Sequence, residues 1–264
     1  MAGQPDTPII LHVERVRDGR SFATRTVQAR QGGHCIFTVT ISFVRISMPD
    51  GLGPSQVPML EHAYPMPADA KPPPTEAEIG HLDDDKVVVI DQPFQHTAVE
   101  ICGGSGRPHE RACRMWMRAR GKISGGMDAH LAALAYVSDS FFLATIPRVH
   151  MATRRRDKGN SREEEEDKEE EQQQDKEGQQ DNSRIDIGMM VSLDHTMYFH
   201  NPAKVRADEW MLRDMRTWWA GDGRGLVVQR IYARDGTLLA TCMQEGVVKL
   251  KGKAPKAVEG GHKL

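Results

Sequence analysis

Two strand–turn–strand segments of this chain carry the same landmarks 204 residues apart. Gly19-Arg20 opens a run that closes at Ala29-Arg30-Gln31-Gly32, and Gly223-Arg224 opens another that closes at Ala233-Arg234-Asp235-Gly236. A further apolar-rich run follows each turn, Cys35–Phe43 in the first copy and Leu238–Val248 in the second. Repetition at one fixed shift marks a duplicated structural unit, so the fold must contain two similar sheets. Each sheet is antiparallel, because tight glycine turns join consecutive strands.

The first copy, residues 9–44, reads as a three-strand meander. Leu11–Val16 alternates apolar with polar residues, and Arg17-Asp18-Gly19 and Gln31-Gly32-Gly33 supply the turns. The second copy is longer. Strand-like runs at Ala98–Cys102 and Arg111–Arg118 precede a Gly125-Gly126 break. Asp128–Val137 then places Leu131, Leu134 and Ala135 at helical spacing, and its alanine-rich, mostly apolar composition predicts a buried helix wrapped by a sheet. Four more strands are predicted at Ile187–Phe199, Trp210–Trp219, Gly225–Ala233 and Thr237–Leu250. Helix and strands together indicate an α+β unit with the helix on one face of an antiparallel sheet. Only eighteen residues precede Gly19, too few for a matching helix and its leading strand, so the first unit is expected to be incomplete.

The expected organisation is therefore a partial first unit over 1–47, a linker over 48–95, a second unit over 96–250 and a tail over 251–264. The linker is rich in Pro and Asp, as in Pro72-Pro73-Pro74 and Asp83-Asp84-Asp85. Within the second unit, 152–184 is a charged insert. Residues 154–184 hold twelve acidic and eight basic side chains with almost nothing apolar, so a solvated loop insertion is expected. An acidic interaction tail is the rival reading of that stretch, with the folded units as its carrier.

The formal net charge of the 264 residues is −2, which provides no strongly basic face and argues against a nucleic-acid partner. No apolar run approaches the roughly 18–20 residues of a membrane span. Met1–Asp6 shows no charged-then-apolar secretory pattern. The four cysteines, Cys35, Cys102, Cys113 and Cys242, form no Cys-x-x-Cys pair, which suits a reducing compartment rather than a disulfide framework or thiolate zinc site. His195 and His200 lie five apart, on opposite faces if both are on one strand, so ordinary packing is expected rather than metal ligation. No cofactor is implied.

Several motifs, in order along nearly the whole chain, carry a resemblance. They are Val13-Glu14-Arg15-Val16-Arg17-Asp18-Gly19-Arg20-Ser21-Phe22, Ala135-Tyr136-Val137-Ser138-Asp139, Ser192-Leu193-Asp194-His195 and Phe199-His200. Towards the C-terminus follow Arg206-Ala207-Asp208-Glu209-Trp210, Gly223-Arg224-Gly225, Arg234-Asp235-Gly236 and Gln244-Glu245-Gly246. With these the sequence resembles the acyl-CoA thioesterase II family, bacterial and peroxisomal enzymes with a double hotdog fold, in which an antiparallel sheet wraps a long helix. Members carry a Gly-Gly-Gln segment opening the first helix; this sequence holds none, so the resemblance implies an N-terminally truncated first hotdog.

The resemblance implies hydrolysis of fatty acyl-CoA to free acid and CoA, by an activated water rather than an acyl-serine. It assigns the catalytic Asp, hydroxyl and Gln to Asp139, Ser192 and Gln244. A thioester carbonyl is already electrophilic, so a positioned water and a carboxylate to take its proton can suffice. Asp139 would be the base; Ser192 and Gln244 would hold the water. The rival reading is a truncated, catalytically impaired hotdog protein that at most binds acyl-CoA or a partner.

Asp194-His195, read as adjacent strand residues facing opposite ways, is expected to be structural rather than an acid–base pair. Trp218-Trp219 could flank an acyl channel or simply pack, and packing is expected. An incomplete first unit would expose apolar surface, which predicts a homo-oligomer or aggregation. The chain ends His262-Lys263-Leu264, a variant of the peroxisomal Ser-Lys-Leu address. Together with the peroxisomal members of the resembled family it predicts import through the peroxisomal receptor, with the cytoplasm as the default otherwise.

Overall fold

Alternating apolar and polar residues between short turns build the longest strands of the described residues into antiparallel hairpins. The computed structural model describes residues 3–44, 60–75, 93–103, 106–150 and 187–251, in two compact units, Met1–His62 and Ala63–Leu264. In the first unit β1 (Ile10–Asp18), β2 (Phe22–Gln31) and β3 (His34–Val44) form a meander in that order. Gly32 and Gly33, at φ 53° and 83°, form the β2–β3 turn between the paired Gln31 and His34. Positive φ at both central residues matches the right-handed twist of the flanking strands. Among its described residues this unit holds strands and no helix.

The second unit is an eight-stranded antiparallel sheet. Its strands are β4 (Phe94–His96), β5 (Glu100–Cys102), β6 (Ala112–Ala119), β7 (Ile187–Ser192), β8 (Thr196–Phe199), β9 (Met211–Gly221), β10 (Arg224–Ala233) and β11 (Leu238–Leu250). The order is β4-β6-β9-β10-β11-β7, with β5 also on β6 and β8 also on β11. Moving β1–β3 along by the 204-residue shift lands them on β9–β11, in the same antiparallel succession. The β9–β10 turn, Asp222-Gly223, again has both φ values positive, at 51° and 69°.

Period-two alternation sorts the strand side chains into two layers. On one face Cys113, Met115, Met117, Met211, Met215, Val227, Ile231, Ala240 and Cys242 pack against Leu134 and Val137 of α1 (Gly126–Ser138) and against Phe142, Leu143 and Ile146 just beyond it. On the other face Trp116, Trp210, Leu212, Tyr232 and Leu238 form a smaller cluster.

Three expectations need correction. The helix is buried on one face only: His130, Leu134, Val137 and Ser138 face the sheet, while Ala132, Ala135 and Tyr136 are exposed. Its alanines are small rather than enclosed. Part of the stretch read as a linker is instead a strap on the outer face of the sheet, where Met66 and Ala70 cover the smaller cluster. Tyr232 donates to the Pro65 carbonyl at 3.2 Å, Trp116 to the Lys71 carbonyl at 3.0 Å, and Arg114 pairs with both Asp69 and the buried Asp214 at 2.8 Å. Prolines suit such a strap because it needs no ladder hydrogen bonds of its own. Lastly, Trp218 and Trp219 are exposed, at a register shift between β9 and β10, with the Arg224 guanidinium 5.4 Å from the Trp219 ring centroid. The 152–184 insert and His262-Lys263-Leu264 lie outside the described residues.

Candidate active site

Asp139, Ser192 and Gln244 meet at one edge of the second sheet. Asp139 caps the C-terminal end of α1, Ser192 is the last residue of β7, and Gln244 lies within β11. β11 changes partner at this point: β8 pairs with residues 240–243 and β7 with 246–250, leaving Gln244 and Glu245 opposite the bend at 193–195. The bend is held by Leu193, whose N–H donates to the Glu245 carbonyl at 2.9 Å, and by Asp194, whose carboxylate accepts from the Glu245 N–H at 2.8 Å.

The Gln244 side chain is 1% exposed, and its amide nitrogen donates to Asp139 Oδ1 at 2.5 Å and to Ser192 Oγ at 2.9 Å. Because a carboxylate only accepts, this contact fixes which way the amide points. Its Oε1 is buried with no hydrogen-bond partner among the described residues. Ser192 Oγ, as an acceptor here, keeps its own proton to give. Asp139 and Ser192 are both exposed, so their remaining donor and acceptor capacity faces solvent. The arrangement can hold a water between a carboxylate and a hydroxyl.

Asp194 and His195 occupy the bend rather than a strand, so the alternation assumed for them does not apply. Asp194 is tied to the β11 backbone as above. His195 Nε2 lies 2.9 Å from Ser138 Oγ, and that hydroxyl donates to the Ala135 carbonyl at 2.8 Å. The histidine is therefore the donor in its contact with Ser138. Burial lowers its pKa below 6.5, although Asp139 and Asp194 pull the other way. His200 stands apart, with Nε2 2.9 Å from Thr241 Oγ1. Neither histidine joins a metal-ligand cluster among the described residues.

Beneath the trio lies a buried polar group that sequence reasoning missed. Arg213 of β9 and Gln229 of β10 are both 0% exposed. Arg213 Nε donates to Gln229 Oε1, while Arg213 Nη2 and the Gln229 amide both donate to the Ser138 carbonyl, at 3.1 and 3.2 Å; Arg213 Nη1 is buried with no hydrogen-bond partner among the described residues. Burial pulls the Arg213 guanidinium down to about 10, still charged at neutral pH. A signal for it exists in the sequence: Arg213 falls in phase with Met211 and Met215, and Gln229 with Val227 and Ile231. A charge on a buried strand phase needs a partner.

Residues 65–248 match the profile of the acyl-CoA thioesterase C-terminal domain, and residues 1–44 match that of the N-terminal domain. Human acyl-coenzyme A thioesterase 8 is 34% identical over 275 residues, covering 95% of this chain and 70% of that protein. Among solved structures, an acyl-CoA thioesterase II from Mycobacterium marinum is 27% identical with a TM-score of 0.62, covering 94% of this chain and 77% of the other. A hot dog fold protein from Alicyclobacillus acidocaldarius, 19% identical with a TM-score of 0.51, covers 94% of this chain and 73% of its own and shares the fold. With a helix laid against a curled antiparallel sheet and both domain profiles matched, this chain is an α+β, double hotdog member of the acyl-CoA thioesterase family.

Proposed function

We propose that the chain hydrolyses fatty acyl-CoA to a free fatty acid and CoA, with Asp139, Ser192 and Gln244 as its catalytic residues. The observation that carries this reading is the single Gln244 amide that binds both the Asp139 carboxylate and the Ser192 hydroxyl. A water bound there donates one proton to Asp139 and meets Ser192 with its oxygen or its second proton. As its oxygen attacks the thioester carbonyl carbon, Asp139 takes the proton, and collapse of the tetrahedral intermediate breaks the C–S bond. CoA leaves as the thiolate and takes the proton held by Asp139, which restores the carboxylate; the acyl group leaves as the acid with the second proton of the water. Gln244 and Ser192 do not change protonation state and act by orientation. No cofactor enters the scheme. Incubating the full chain with acyl-CoAs of graded length and following free thiol tests it. Release that exceeds the buffer rate is expected; its absence across the series would return the chain to the impaired, binding-only reading.

Peroxisomal import through His262-Lys263-Leu264 is the accompanying proposal on location, supported by the match of its last two residues to the import tripeptide. A fluorescent protein ending in residues 253–264 should form puncta with a peroxisomal marker, and loss of Leu264 should make it diffuse. Diffuse signal from the intact tail would contradict the proposal. Self-association is proposed from the exposed apolar residues Met189, Val191, Leu193, Tyr198 and Phe199 along β7, the bend and β8. Sedimentation velocity should show a concentration-dependent oligomer; a monomer at all concentrations would contradict it.

A further inference from the structure

We infer that Arg213 and Gln229 are positioning residues for Asp139, acting through the peptide bond that precedes it. The inference rests on the reading of Asp139 as the base. The last carbonyls of a helix have no partner within the helix. Here the carbonyl of Ser138, the last residue of α1, receives two side-chain donors from the sheet below, Arg213 at 3.1 Å and Gln229 at 3.2 Å. One of the two is a cation, which strengthens the bond and complements the negative end of the helix dipole.

The three strands involved are neighbours, and their register explains why this works. Gln229 stands opposite Met215 on one side and Cys242 on the other. Arg213 is two residues from Met215 and Gln244 two residues from Cys242, so all three polar side chains rise from the same face. The sheet thus presents a diagonal row: Arg213 and Gln229 grip the carbonyl before Asp139, and Gln244 grips its carboxylate. Ser138 and Asp139 share one peptide plane, so fixing its oxygen fixes the Asp139 N and Cα, and the φ of −80° at Asp139 then sets the direction of its Cα–Cβ bond.

The chain beyond Asp139 is held as well. Phe141 has φ 60°, a left-handed conformation for a bulky residue, and the ring of buried His96 meets its ring edge-on at 5.0 Å. The Arg148 guanidinium lies 5.6 Å from the Phe141 ring and donates to its carbonyl at 3.4 Å. Strained backbone persists only where its surroundings over-determine it. Asp139 therefore sits between a clamped carbonyl and a clamped turn.

The scaffold alternative is that Arg213 merely fills the core. A buried charge that served packing alone could be replaced by an apolar side chain of similar length with little loss. Arg213→Met and Gln229→Met tell the two apart, because each removes a donor to Ser138 while keeping the volume. Positioning predicts that kcat for thiol release falls about 10- to 100-fold with KM little changed, since a misplacement of order 1 Å costs about 100-fold. Arg213→Lys, which keeps a charged donor, should recover part of that loss. In an Asp139→Asn background neither methionine substitution should lower the residual rate further.

Folded Arg213→Met and Gln229→Met proteins with native kcat overturn the inference while leaving Asp139 as base. So does a loss of equal size in the Asp139→Asn background, or a loss confined to KM. If Arg213→Met does not fold, the Gln229→Met comparison alone decides between these outcomes. An Asp139→Asn protein as fast as the native one instead removes Asp139 as the base, on which this inference rests, and leaves the hydrolysis itself standing; no thiol release by the native chain removes the proposed function.

Discussion

His96 is 3% exposed on β4, and neither ring nitrogen has a hydrogen-bond partner among the described residues. Burial, with the Arg213 and Arg120 charges behind it, lowers its pKa from 6.5 to about 4. In the folded protein the ring stays neutral until about pH 4, whereas in the unfolded chain it takes up a proton near 6.5. Between those values the unfolded state holds more protons, so stability is complete above 6.5 and declines as the pH falls. Burial of His195 and His150 shifts them in the same direction. Urea unfolding measured from pH 7 to pH 4 should show stability falling, and His96→Leu should flatten that fall. An unchanged slope in His96→Leu would assign the acid sensitivity elsewhere. At this scale the sequence was uneven. Asp139, Ser192 and Gln244, which the structure brings together, were named only through the motifs that carry the family resemblance. The roles of Arg213 and Ser138 were not legible, because Gln229 and His195 come from segments distant in the chain, and the burial of His96 likewise exists only in the fold.

The turn after α1 closes onto β10 and β11 at two glycines. Gly225 and Gly246 stand opposite each other across these strands. A Cβ on Gly246 would meet Leu143 Cδ2 at 2.7 Å and the Val191 carbonyl oxygen at 2.9 Å, inside contact distance, and one on Gly225 would strike Ile146. The glycine of Gln244-Glu245-Gly246 thus gives Leu143 room beside the site. Since Val191 O belongs to the backbone of β7, Gly246→Ala should destabilise by about 1–3 kcal/mol through overpacking and should displace β7 and with it Ser192. Thermal denaturation and kcat should both fall; an alanine variant as stable and active as the native chain would contradict this account. Most strands and the helix were legible from alternation, helical spacing and Gly turns. The split of Ile187–Phe199 into β7 and β8 was not, because an Asp-His bend carries no glycine or proline signal. Neither was the strap over Trp116 and Tyr232, since proline-rich composition reports the lack of a ladder rather than the lack of packing.

On the scale of the whole molecule, one fold is written twice. The 204-residue shift relates β1–β3 to β9–β11, and the two domain profiles match residues 1–44 and 65–248. The trio proposed as catalytic belongs wholly to the second unit. Residues 154–184 separate α1 and its following turn from β7 in sequence, yet they hold twenty charged side chains and almost nothing apolar to bury. Replacing them with a short Gly/Ser linker should leave the thermal midpoint nearly unchanged, because loop closure depends only weakly on length. A large drop in the midpoint would show that the segment packs. The central claim is that Asp139 takes a proton from water at the thioester, and the steady-state rate of thiol release by full-length Asp139→Asn tests it most directly. The variant keeps the size of the side chain and loses its basicity, so kcat should fall by about 100- to 10,000-fold while acyl-CoA binding persists; a kcat equal to that of the native chain would contradict it.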